Sequence, residues 1–250
     1  MRRSNRRTIL TLGAASAAAL GTGMMYRAGR FEAPVPRNPD LTEAHLSRIT
    51  SVARSTDRPR ILLIGNSATI SSGFLQHLSS EVAETAYLAR ASANGARLVQ
   101  SLRIASLRTL TRAIRWDVLV LQDFSSTPLH PADRLASRLA ISRFATLAAP
   151  AHVVLFPHWP SAPGHVVYRG GLGAGYAVPE DLEEYAARSQ AHYRQCARRV
   201  DGTLAPVLPA WVAALAQGEQ LYQRDGHHAS AAGAALAAKT LWPAIRAALS

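Results

Sequence analysis

Short apolar runs alternate with helix-periodic segments along this chain, and that alternation constrains its fold more than any other feature. Ile61-Leu62-Leu63-Ile64 reads as a short apolar strand that ends in the turn Gly65-Asn66-Ser67. Residues 117–121 form a continuous apolar strand, the pattern expected where both faces of a sheet are covered. Residues 85–89, 152–156 and 203–207 read as three more strands. Between them lie an apolar-periodic segment at 73–82 and a long amphipathic helix in which Leu98, Leu102, Ile104, Leu107, Leu110 and Ile114 recur at spacings of two to four. Further helices are predicted over 132–147, 180–200 and 230–248. Strands that alternate with helices need right-handed crossovers, so the expected fold class is α/β: a three-layer α/β/α sandwich around a mainly parallel five-stranded sheet.

At 250 residues, 48% of them apolar, the chain suits one such domain with an amino-terminal appendage. The expected division is an export signal or membrane anchor at 1–25, a polar tether at 26–58 containing a short helix at 41–52, and the folded domain at 59–250. Arg2, Arg3, Arg6 and Arg7 precede an uncharged stretch from Thr8 to Met25, the physical layout of an export signal. Asn5-Arg6-Arg7-Thr8-Ile9-Leu10 resembles the twin-arginine signal, which implies a periplasmic or extracellular protein. Retention of the segment would instead attach the protein to the inner membrane, although some eighteen residues rich in Ala and Gly are short for a span.

The formal charge of +12 raises the question of nucleic acid, but about +7 of it lies in the first sixty residues. The remaining arginines are spread over alanine-rich helices without interleaved aromatics, the composition of solvated helix faces rather than of a nucleic-acid groove. Cys196 is the only cysteine, which excludes an intramolecular disulfide and a thiolate metal site.

Two segments carry chemistry. Ser67 stands at the carboxyl end of the first strand, where a parallel sheet opens onto its crevice. A serine hydroxyl is a poor nucleophile at neutral pH and needs an imidazole to accept its proton and a carboxylate to fix the imidazole tautomer. Asp225-Gly226-His227-His228, just before the last helix, supplies both within one turn, with His228 as base and Asp225 as its orienting group. The Ser67 N–H at a helix start is suited to an oxyanion. His227 is an alternative imidazole, taken as a pocket or surface residue. His158, His227, His228 and Asp225 also permit a nitrogen and oxygen metal site, a reading made unnecessary by the triad; no metal or cofactor is expected.

These features resemble the SGNH (GDSL-like) hydrolases, in which the nucleophile lies in a Gly-Asp-Ser motif after strand one and an Asp-x-x-His pair precedes the last helix. Gly65-Asn66-Ser67 matches the first motif with Asn66 in the aspartate position, a Gly-Asn-Ser variant, and Asp225 to His228 matches the second. The resemblance spans about residues 59–248 and implies the flavodoxin-like fold of that family and an acyl-enzyme esterase mechanism. It also implies further oxyanion donors: the Gly95 N–H after strand two, and, where the family has an asparagine, the Gln122 carboxamide after strand three. Asn66, His158 and Trp159 are expected in the substrate pocket, the last two at the start of a long loop, 157–179, rich in Gly, Pro and aromatics. The implied substrate is a small-molecule, glycan or lipid ester bearing an acyl or acetyl group. The rival reading is a non-catalytic carbohydrate- or envelope-binding protein on the same fold, with a degraded oxyanion hole.

Overall fold

Five parallel strands in the order β2-β1-β3-β4-β5 form the centre of the computed structural model, which describes residues 39–70 and 73–250. The strands are β1 Arg60–Gly65, β2 Tyr87–Ser92, β3 Val118–Leu121, β4 His152–Leu155 and β5 Thr203–Leu204. In register, Ile61 faces Leu88 on one side and Val118 on the other, and Val118 faces His152. The expected three-layer α/β sandwich and its five strands are therefore present. The expected export segment and the first part of the tether, 26–38, lie outside the described residues.

The pleat divides β1 between two cores. Ile61 and Leu63 pack with Val118, Val120 and Val154 against α3 (Phe74–Val82), α8 (Val207–Ala216) and α9 (Ala231–Leu249). Leu62 and Ile64 pack with Leu119, Leu121, Val153 and Leu155 against α1 (Glu43–Ser55), α5 (Ala105–Ala113), α6 (Pro131–Ala148) and α7 (Leu182–Arg199). Both sheet faces are thus covered, which is why the central strands are apolar without alternation.

Three boundaries differ from expectation. The helix expected at 41–52 is present as α1, but it is not part of a loose tether: capped by the Thr42 hydroxyl on the His45 N–H, it buries Leu46, Ile49 and Ala53 in the second core. Three apolar residues at helical spacing outweigh the polar composition around them. Arg60 ties the end of α1 to β1 by donating to the carbonyls of Ala53 (2.6 Å) and Thr56 (2.7 Å). The long helix of 98–114 is two helices, α4 (Leu98–Ser101) and α5, because the step of two from Leu102 to Ile104 breaks the helical phase; both side chains still reach the core. The fifth strand stops at Leu204 rather than at 207. The run Val207-Leu208-Pro209-Ala210-Trp211 belongs to α8, whose uniformly apolar sequence shows no helical contrast.

Candidate active site

In a sheet of order 2-1-3-4-5 the crevice opens at the carboxyl ends of β1 and β3, where successive connections leave on opposite faces. Ser67 opens the single-turn helix α2 (Ser67–Ile70) directly beyond β1. The turn beneath it is tightly packed. A Cβ on Gly65 would come within 2.8 Å of the Thr69 side chain and 3.1 Å of Gln122 Oε1, so glycine is required there. The Thr69 hydroxyl donates to the Asn66 carbonyl and shares a hydrogen bond with the Ser92 hydroxyl, both at 2.8 Å, which locks α2 onto β2.

Gly95 follows β2 in the turn closed by the Ala96 N–H on the Ala93 carbonyl, 3.1 Å. Its φ of +66° is a conformation that L side chains resist, it is exposed, and a Cβ there would meet nothing within 4 Å. Among the described residues its N–H has no acceptor, which leaves a donor open at the carboxyl edge of the sheet.

The Asp225–His228 turn is built around one carboxylate. Asp225 Oδ2 lies 2.5 Å from His228 Nδ1, while Oδ1 accepts the N–H groups of His227 (2.9 Å) and His228 (3.0 Å). Partial desolvation raises the Asp225 carboxyl, but the His228 ring, the two N–H donors and the charge on His228 outweigh it and bring it down to about 2. The carboxylate therefore stays ionised, and with Nδ1 held as its donor, His228 Nε2 is left as the basic nitrogen. His227 has other partners: its Nδ1 hydrogen-bonds with Ser161 Oγ (2.9 Å) and its Nε2 with Ser125 Oγ (3.4 Å). The alternative of His227 as the Asp225-paired imidazole is thus set aside. Because Ser125 follows β3 and Ser161 follows β4, these bonds bring the Asp225 turn to the same edge of the sheet as Ser67 and Gly95.

Other expected residues are placed behind the crevice, not in it. Gln122 is wholly buried: its Oε1 accepts the Asn66 N–H (3.0 Å) and its Nε2 donates to the Asp123 carbonyl (2.6 Å), so its carboxamide braces the nucleophile turn. Asn66 is 2% exposed, with Oδ1 accepting the Ala68 N–H (3.2 Å) and Nδ2 donating to the Ala96 carbonyl (3.3 Å). It links the Ser67 turn to the Gly95 turn. His158 and Trp159 are likewise buried. His158 Nδ1 donates to the Trp159 carbonyl (2.6 Å), Trp159 stacks on Trp211 at 4.6 Å, and its indole N–H donates to the His227 carbonyl (2.9 Å). Burial, and then the neighbouring His227, hold His158 well below the usual imidazole range. Among the described residues no group of three or more His, Cys, Asp or Glu is disposed to hold a metal ion.

Sequence reasoning missed Ser125, Ser161 and Arg97. Arg97, two residues after Gly95, pairs with buried Asp133 (2.8 Å), reaches the Tyr176 hydroxyl (3.2 Å) and lies 4.8 Å over the Phe124 ring. The loop 157–179 supplies Ser161, His165 and Tyr176, but no local pattern distinguishes these from ordinary loop residues. A cavity of about 570 Å³ borders the Asp225-Gly226 turn, with His165, Tyr222 and Gln223 among its walls.

No protein-family model matches the sequence, and no curated protein matches it. Solved structures do. A protein from Slackia heliotrinireducens assigned to the SGNH hydrolases superposes with a TM-score of 0.65 at 26% identity, covering 76% of this chain and 100% of its own. A lipase/acylhydrolase from Enterococcus faecalis gives 0.57 at 14% identity, over 77% and 97% of the two chains. A catalytic mutant of an acetylxylan esterase from Geobacillus stearothermophilus gives 0.54 at 11% identity, over 75% and 94%.

Proposed function

We propose that this chain, which belongs to the SGNH (GDSL-like) hydrolases and is an ester-hydrolysing enzyme, cleaves an acyl or acetyl ester through a Ser67–His228–Asp225 triad and an acyl-enzyme. The observation that carries the triad is the 2.5 Å contact between His228 Nδ1 and Asp225 Oδ2, in a turn held to the sheet edge where Ser67 stands. In the first half-reaction Ser67 Oγ attacks the ester carbonyl carbon as its proton passes to His228 Nε2, and the carbonyl oxygen becomes an oxyanion. The Gly95 N–H and the Ser67 N–H receive that charge. Collapse of the intermediate breaks the bond to the alcohol oxygen, which takes the proton from His228. Water, deprotonated by His228, then attacks the acyl-serine, and the carboxylic acid leaves with Ser67 restored. Asp225 stays ionised throughout and stabilises the transient imidazolium.

The arginine-led amino terminus supports action outside the cytoplasm on an acylated glycan or lipid; activity confined to the cytosolic fraction of expressing cells would overturn that placement. The mechanism is tested with short-chain nitrophenyl esters. Ser67→Ala is expected to lose about a thousandfold or more of kcat with its fold intact, and an equally active variant sinks the triad. The buried carboxamide of Gln122, which leaves two main-chain donors for the oxyanion, favours a second reading, a binding protein with vestigial chemistry. A fluorophosphonate probe separates the two, since an unlabelled Ser67 in folded protein supports binding without catalysis.

A further inference from the structure

The Asp225–His228 pair has little burial of its own to hold it: the two side chains are 47% and 32% exposed. A general base must nevertheless be fixed to a fraction of an ångström, because misplacement by about 1 Å can cost a hundredfold in rate. The residue between Gly226 and His228 makes the contacts that the pair lacks. The His227 N–H donates to Asp225 Oδ1 (2.9 Å) and its carbonyl accepts the Trp159 indole N–H (2.9 Å), which fixes the main chain from both sides. Its ring is stacked between His158, at 4.9 Å and 15°, and His165, at 5.3 Å and 17°. Its two nitrogens reach Ser161 beyond β4 and Ser125 beyond β3, and its edge meets the His228 ring at 5.2 Å and 82°. Ser161 is itself held, its carbonyl accepting the Tyr168 hydroxyl at 2.7 Å.

From this convergence we propose that His227 is a positioning residue for the His228 base, clamping the catalytic turn to the loops that follow β3 and β4. The proposal rests on the Ser67–His228–Asp225 reading. A purely apolar side chain would satisfy burial at this position but would leave both serine hydroxyls unlinked. A neutral imidazole offers one donor and one acceptor nitrogen and so can serve both. Burial, then the His228 and His165 charges, bring His227 down to about 4 against the opposing pull of Asp225, so it adds no charge beside His228 when that ring takes the serine proton. The other titratable groups around it are His158, itself held neutral by burial, and His165, which burial also lowers.

The test uses the purified full chain, a nitrophenyl ester and a fluorophosphonate. His227→Leu is expected to lower kcat by about ten- to a hundredfold with KM changed less than about threefold, and to slow fluorophosphonate labelling in parallel. His227→Gln, which keeps a donor and an acceptor on a flexible arm, is expected to recover most of the loss, and Ser161→Ala to lower kcat in the same direction as His227→Leu. Wild-type kcat in folded His227→Leu overturns the proposal, as does a change in KM alone, or a His227→Gln variant that folds but is no better than His227→Leu. If His227→Leu does not fold, Ser161→Ala and Ser125→Ala decide by the same split. A wild-type protein inert to both ester and probe sinks the triad reading itself. An active wild type with a dead Ser67→Ala and an unaffected His227→Leu sinks this inference only.

Discussion

Replacing Gln122 by methionine tests how the nucleophile turn is held. Methionine reproduces the unbranched shape of glutamine but removes both polar ends, so the Asn66 N–H and the Asp123 carbonyl lose their partner in a fully buried site. Each orphaned buried group costs about 1–3 kcal/mol, which puts the variant about 2–6 kcal/mol below the wild type. For a chain of this size that corresponds to a fall in Tm of about 5–20 °C. Urea denaturation at neutral pH measures the free energy, and kcat on a nitrophenyl ester below the melting range measures the consequence for Ser67. Because Asn66 links the Ser67 and Gly95 turns, kcat should fall as well, by about tenfold, as the turn loosens. Stability within about 0.5 kcal/mol of wild type, the range of a neutral surface change, refutes the bracing role. If that unchanged stability came with a loss of about a hundredfold or more in kcat, Gln122 would be a direct oxyanion donor instead.

Two further outcomes follow from the site's electrostatics. Asp225→Asn keeps an acceptor for the N–H groups of His227 and His228 but presents an amide donor to His228 Nδ1, which forces the ring proton onto Nε2, where it can no longer accept from Ser67. With the fold preserved, kcat should drop by about 10⁴, the loss seen when this substitution traps the wrong tautomer in a serine protease, and near-normal turnover would mean that Asp225 is not the orienting group. Stability should also decline as pH falls from about 6.5 to about 4. Burial lowers His158, His192 and His227, with His192 and His227 at about 4, so across this window the unfolded chain takes up protons that the folded chain refuses. Each such proton costs up to about 1.4 kcal/mol per pH unit, and the Asp225 carboxyl, brought down to about 2, stays ionised across this window and does not offset it. Equal urea midpoints at pH 7 and pH 5 would contradict the neutral, buried state of these rings.

How much was legible varied with the range of the interaction. The sheet and its layers were readable because hydrophobic pattern is a local consequence of which faces are covered: continuous apolar strands at 61–64 and 118–121, periodic helices between them. The Asp225–His228 pair was readable for the same reason, since three residues in one turn suffice to bring the carboxylate to the ring. Illegible elements were those whose signal is weak or cancelled locally. Helix α8 is apolar on all sides and shows no period, and although the helix α1 was legible within its polar stretch, its burial of Leu46, Ile49 and Ala53 against the sheet was not. Chemical type misled at Asn66, Gln122, His158 and Trp159: polar or aromatic residues near a strand end suggest a pocket, but burial turned them inward as braces.

The order of elements and the identity of residue pairs in tight turns were therefore determined by the sequence itself, because each depends on neighbours a few positions away. Tertiary structure alone decided which side chains face the crevice and which stand behind it. It also decided that Ser125, Ser161 and His165, from two separate loops, meet on His227. Those contacts join residues 62 to 102 positions apart, and they exist only because parallel strands bring their carboxyl ends, and every loop that follows them, to one edge of the sheet.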